Sequence, residues 1–174
     1  MMSKQYAIAF FEIVKEDNTL NEAKESFDVF MDVLKTEKDF ISILNSPKIS
    51  VEEKKEMIRK IFSNCAEDFI LFLFVTLDNG RVNKLFEIYN EFMHLYNEEK
   101  CIKVVEVLSV SPLSSTEEEG LLNSLKKHYI GYEIEIRNKI DPRVVGGYHI
   151  LVNGISVDLS FKRKIDNLEK HVLN

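Results

Sequence analysis

Residues 64–80 read "NCAEDFILFLFVTLDNG", and the fold turns on whether the apolar run inside them, Phe69 to Leu77, is a membrane segment, a strand or a helix. Every residue of that run except Thr76 is apolar. As a helix it would reach only about 13 Å against a hydrocarbon core of roughly 30 Å, so it cannot cross a bilayer. Phe, Ile and Val favour strands, and Asn79-Gly80 has the form of a hairpin turn. The next segment decides against a strand. Leu85, Ile88, Tyr89, Phe92, Leu95 and Tyr96 recur at helical spacing, which leaves the supposed strand without a partner. Asn64, with Glu67 three residues on, reads as an N-cap, and Gly80 stands where a C-cap glycine belongs. The spacing therefore predicts helices over 65–79 and 82–99.

Upstream the pattern is helical throughout. In residues 3–16, Tyr6, Phe10, Ile13 and Val14 fit one face, while Ile8 and Phe11 lie off it. Thr19-Leu20-Asn21-Glu22 has the form of a capping box, followed by Leu20, Ala23, Phe27, Phe30, Met31 and Leu34 at helical spacing. "KDFISILN" predicts a short third helix that stops before Pro47. Ser50-Val51-Glu52-Glu53 caps a fourth, running to about Phe62.

After Lys100 the texture changes. "CIKVVEVLSV" is β-branched and extended, and "YEIEIRN" alternates Tyr132, Ile134 and Ile136 against Glu133, Glu135 and Arg137. Between them "SSTEEEGLLNSLKKHYIG" predicts a helix with hydroxyl caps and acids in its first turn, where the helix dipole favours them. In "YHILVNGISVDL", a turn at Asn153-Gly154 sets Val152 against Ile155, Ile150 against Val157 and Tyr148 against Leu159, all on one side. His149, Leu151, Ser156 and Asp158 take the other. A last amphipathic helix is expected from Phe161 to about Val172. The expected fold class is α+β: an N-terminal six-helix bundle, residues 1–100, followed by a small C-terminal α/β domain with a β-hairpin, residues 101–174.

Composition narrows the function. The chain has 174 residues, 45% apolar and 30% charged, the make-up of a soluble globular protein. Glu12 interrupts the N-terminal apolar run, no small-residue cleavage site follows, and the segment is not Arg-rich, so a bacterial-type cytosolic setting is expected. Cys65 and Cys101 are far apart without a CxxC pattern, which indicates neither a metal nor a disulfide framework. A net charge of −6 gives no basic footprint for nucleic acid, and Lys162-Arg163-Lys164 reads as a solvated helix start. Gly146-Gly147 lacks the spacing of a phosphate loop and reads as a turn or close-packing site. His94, His128, His149 and His171 make no metal-binding pair, and Glu117-Glu118-Glu119 is a helix start. No catalytic residue, metal or cofactor is expected.

The run "FLFVTLDNGRVNKLFEIYNEFMHLYNEEKCIKVVEVLSVSPLSSTEEEGLLNSL" resembles the delta subunit of bacterial F-type ATP synthase, the family of the mitochondrial oligomycin-sensitivity-conferring protein. "DPRVVGGYHILVNGISVDLSFKRKIDNL" is similar to that family's C-terminal signature, here carried by Asp141, Pro142, Val144, Val145, Gly146, Gly147, Asp158 and Ser160. Tyr6-Ala7 matches the Tyr-Ala that opens the family's first helix, and Asn79 and Arg81 match its polar step between helices five and six. Leu159, Ile165 and Phe74 depart mildly from the usual residues.

The resemblance implies a non-catalytic peripheral-stalk subunit, a stator that resists rotational torque during ATP synthesis at the cytoplasmic face of a bacterial membrane. Its implied partners are the N-terminal helix of an alpha subunit, held by the helical domain, and the b-subunit stalk, held by the C-terminal domain. No nucleic acid is implied, and membrane association comes only through the complex. A helix docking in a groove requires receiving helices that are apolar beyond their core face, and helices one and five are the two that are. On the first, Ile8 shares a line with Gln5 and Glu12, and Phe11 one with Lys4 and Lys15, so both should approach solvent. On the fifth, Glu67 and Asp78 mark an outward line through Leu71 and Phe74, with Ile70 beside it. Together with Tyr6 these are the candidate partner-binding residues, each with burial inside the bundle as its alternative. Rival readings are a free-standing helical adaptor or regulator binding an amphipathic helix, and a small enzyme with its site between the domains.

Overall fold

A computed structural model describes residues 2–144, 148–152 and 155–157. In chain order the elements are α1 (Met2–Glu16), α2 (Leu20–Thr36), α3 (Phe40–Asn45), α4 (Val51–Ile61), α5 (Glu67–Asp78), a single 3-10 turn (Val82–Lys84) and α6 (Leu85–Glu99). Then follow β1 (Ile102–Ser109), α7 (Ser115–His128), β2 (Glu133–Ile140), β3 (Tyr148–Val152) and β4 (Ile155–Val157). The class is α+β, and the chain divides into two compact units, Met1–Tyr96 and Asn97–Asn174.

The apolar run is helical, inside α5. Gly80 ends this helix with φ at 63°, and the backbone N–H groups of Gly80 and Arg81 bond back to the carbonyls of Leu77 and Thr76. That is the paired closure of a Schellman motif, and it uses a left-handed residue that glycine supplies without a Cβ penalty. The expected start is corrected: Asn64 is not the cap, and α5 begins behind Ala66. Ser26 of α2 accepts the Ala66 N–H at 2.9 Å, so a tertiary bond places the helix start two residues later. The Thr19 capping box is also not formed. Thr19 instead donates its hydroxyl to Asp68 Oδ2 at 3.1 Å. Ser50 and Ser114 do form reciprocal boxes, with Glu53 and Glu117, and those bonds hold both carboxylates below their usual range.

The first unit is organised by phenylalanine. Phe27 of α2 is fully buried, with Phe10, Phe69 and Phe92 edge-on or tilted at centroid distances of 5.7, 4.8 and 4.9 Å. In the second unit, a four-stranded sheet runs in the order β2-β1-β3-β4, with β1 parallel to β2 and antiparallel to β3. The parallel pair requires a crossover, which α7 supplies. Leu121 and Leu125 join Val105, Val107, Ile150 and Val152 in one core. The β3–β4 register sets Ile150 opposite Val157 and Val152 opposite Ile155, as the alternation predicts. Several expectations lie outside the described residues: the Asn153-Gly154 turn, Val145-Gly146-Gly147, Asp158, Leu159, Ser160, Lys162-Arg163-Lys164, Ile165, His171 and the last helix from Phe161 to about Val172.

After β2, Asp141 closes a turn on Arg143. Its Oδ1 accepts the Arg143 backbone N–H and Nε–H, both at 3.0 Å, and Oδ2 accepts the second guanidinium N–H at 2.8 Å. These bonds lower the Asp141 carboxyl from 3.8 to about 2.

Two measurements test this account. Nothing lies within 4 Å of a Cβ built on Gly80, so Gly80→Ala should cost only the left-handed backbone penalty, about 1 kcal/mol in denaturant unfolding. Because the folded carboxyl is depressed, its contribution is present above pH 3.8 and lost as pH falls toward about 2. Asp141→Asn should therefore flatten the thermal midpoint's acid limb in that window, and an unchanged limb would refute the assignment.

Candidate functional site

The outer surfaces of α1 and α5 enclose an apolar groove of about 430 Å³. The Thr19–Asp68 bond sets the end of α1 beside the start of α5. Phe10 and Phe72 stack at 4.4 Å with planes 26° apart and form the floor. Above them Ala9 and Ile13 rise from α1 and Leu71 and Val75 from α5, with Gln5 and Tyr6 on the α1 side and Asp68 on the α5 side. Ile13, Leu71 and Val75 keep 52%, 47% and 50% of their surface exposed. Fully burying such a side chain is worth roughly 1.5–3 kcal/mol, so covering these half-exposed three would stabilise a complex by a few kcal/mol.

Helix α4 borders the other flank of α5. Arg59 pairs with Glu67 at 3.0 Å and Lys55 with Asp78 at 2.7 Å. Both cations also lie over the Phe74 ring, 5.2 and 5.5 Å from its centroid. The α4 side is thus polar and self-satisfied, while the α1 side is apolar and open.

Of the six candidates from sequence, Tyr6 and Leu71 line the groove. Ile8 is exposed but lies outside it, and Phe74 is half-buried under the α4 cations. The expectation that Phe11 approaches solvent is corrected: it is buried, 6.2 Å edge-on from Phe92 of α6. Ile70, placed beside the outward line, is buried as well. Ile13, expected in the core, is exposed. The reason is rotation. The buried arc of α1 is Ala7, Phe10, Phe11 and Val14, so Phe11 replaces Ile13 inside. On α5 the outward line is Glu67, Leu71, Val75 and Asp78, and Phe74 falls one step toward α4. Sequence reasoning missed Ala9, Ile13, Val75 and Asp68. A signal for Val75 existed, since two steps of four from Glu67 pass through Leu71 to Val75.

Among the described residues no group of three or more His, Cys, Asp or Glu is arranged to hold a metal, and no helix is long and apolar enough to cross a membrane. What the arrangement can do is receive an apolar surface.

The chain is similar to known proteins in both sequence and fold. The family profile described as ATP synthase delta (OSCP) subunit matches residues 2–172. The ATP synthase subunit delta of Clostridium kluyveri is 28% identical over 173 residues, spanning 99% of this chain and 95% of that protein. The chloroplastic ATP synthase subunit delta of Galdieria sulphuraria is 32% identical over 167 residues, spanning 95% of this chain and 94% of that one. A chain in the cryo-EM structure of the Toxoplasma gondii mitochondrial ATP synthase hexamer superposes with a TM-score of 0.77, covering 100% of this chain and 98% of its own length at 19% identity. That likeness is one of fold.

The division between core and groove is directly testable. Phe11→Ala should cost about 3–5 kcal/mol of unfolding free energy, as a buried ring. Leu71→Ala should stay within about 0.5 kcal/mol, as a surface substitution. Equal losses in urea unfolding would contradict the assigned rotation of the two helices.

Proposed function

The chain belongs to the ATP synthase delta (OSCP) subunit family, and from that premise we propose that the groove between α1 and α5 receives an amphipathic helix from the N-terminus of an alpha subunit. As a member of that family the chain is a structural, non-catalytic subunit of the peripheral stalk of an F-type ATP synthase. The stalk is a stator. When the central shaft turns, the catalytic head would turn with it unless held, and torque becomes ATP only if the static link survives.

The observation that carries the proposal is the groove itself: an apolar, open cleft on the two helices whose sequence carries more apolar residues than one core face can absorb. In this reading Tyr6 and Leu71 touch the incoming helix with Ala9, Ile13 and Val75. Ile8 extends the shoulder, Phe11 and Ile70 brace the wall from within, and Phe74 secures α5 against α4. An interface loaded by rotation must dissociate slowly. Desolvated apolar anchors meet that demand better than exposed ion pairs, which contribute about 0–1 kcal/mol each. The six helices α1–α6 serve as the head-binding domain, and the unit that starts at Asn97 holds the b-subunit stalk. The assembled complex keeps the chain peripheral, at the cytoplasmic face of a bacterial membrane.

Calorimetric titration of the full chain with a peptide of the cognate alpha-subunit N-terminus tests this. Leu71→Asp and Val75→Asp should each weaken binding by at least about tenfold, because a carboxylate buried without a partner is heavily penalised, while leaving the thermal midpoint nearly unchanged. Undiminished affinity in both variants would overturn the docking site.

A further inference from the structure

We propose that Asp68 is a specificity-determining residue of the groove, and that the docked helix must carry a lysine or arginine flanking its apolar face to meet this carboxylate. The inference rests on the proposal that the groove receives an alpha-subunit helix, and it adds the charge that helix must bring.

Asp68 lies in the first turn of α5 and lines the groove. It is half-buried, and its Oδ2 accepts the Thr19 hydroxyl at 3.1 Å, which orients the carboxylate. Among the described residues no cation pairs with it. The candidate from α4, Arg59, is engaged with the neighbouring Glu67 and the Phe74 ring. One neutral hydroxyl leaves most of a carboxylate's acceptor capacity to water.

An apolar helix laid along Ile13, Leu71 and Val75 would strip that water away. A carboxylate desolvated with only one donor is costly, and a matched cation removes the cost. The partner therefore needs a charged donor beside its apolar stripe. From Asp68 to Val75 is seven residues, about 10 Å of helix, so the stripe spans roughly two turns and the cation lies at the end nearer Ile13 and the start of α5. Helices with an uncharged or acidic flank at that point are rejected, since an unmet or like charge acts against the wrong partner.

The test uses the full chain and peptides of the cognate alpha-subunit N-terminus, with Asp68→Asn, which keeps the acceptor for Thr19, and Asp68→Lys. Asp68→Asn should weaken binding about five- to tenfold and flatten its dependence on ionic strength, with at most a small drop in thermal midpoint from the charge lost at the N-terminus of α5. Asp68→Lys should weaken it further, and one peptide with a single Lys or Arg replaced by Glu should restore it. If Asp68→Asn leaves affinity and salt dependence unchanged while Leu71→Asp abolishes binding, the groove stands and the role of Asp68 is overturned. If neither substitution matters, both readings fail.

Discussion

Four helices of the first unit meet around the ring of Phe27, and their phases are set by what that meeting demands. Its centroid lies 5.7 Å from Phe10 of α1, 5.8 Å from Phe72 of α5 and 4.9 Å from Phe92 of α6. Aromatic rings attract best edge-on or offset at such separations, and the directionality restrains rotation as well as distance. Helix α5 must turn Phe69, Phe72 and Leu73 inward to take part. Thr76 goes in with them, its hydroxyl donating to the Leu73 carbonyl at 2.8 Å, so the one polar residue of the run is buried without an unmet bond. The same rotation turns Leu71 and Val75 outward.

The groove is therefore the reverse side of the core. Phe10 and Phe72 belong to both: each is buried, each packs in the aromatic cluster, and together they form the floor on which a partner helix would rest. A groove floored by close-packed rings deforms little under load, a property that suits a subunit whose task in the stalk is to transmit force without yielding. The exposed ion pairs between α4 and α5 have a different use. They contribute little free energy, but they occupy the α4 flank of α5 with paired charge and leave the groove on the α1 side as the open apolar face.

The second unit depends on β1 in the same way. It is hydrogen-bonded on both sides, to β2 in parallel and to β3 antiparallel, and Val105 and Val107 are fully buried beneath α7. Asn138 ties the end of this arrangement together. Its amide donates to the Val107 carbonyl at 3.0 Å and to Ser109 Oγ, and its side-chain oxygen accepts the Leu113 N–H at 3.1 Å. One edge-strand residue thus fixes the strand end and the loop leading into α7.

Periodicity made the elements legible. Helical spacing identified α1 to α6, a β-branched extended run identified β1, period-two alternation identified β2, and turn chemistry predicted the β3–β4 register. The family resemblance was legible because Asp141-Pro142, Tyr6-Ala7 and the Asn79–Arg81 step occur in order. The caps were partly misread: Ser50 acts as its pattern predicts, whereas Thr19 and Asn64 do not, because Asp68 and Ser26 lie far away in the chain and compete for the local partners. The same limit governs the site. That α1 and α5 carry more apolar residues than one face needs is a property of the sequence alone. Which of them face out was decided only in three dimensions. Phe74 and Val75 stand one residue, about 100°, apart about the axis of α5, and Phe11 and Ile13 lie on different sides of α1, so the choice between them depends on how each helix is turned, and that angle is set by rings on other helices.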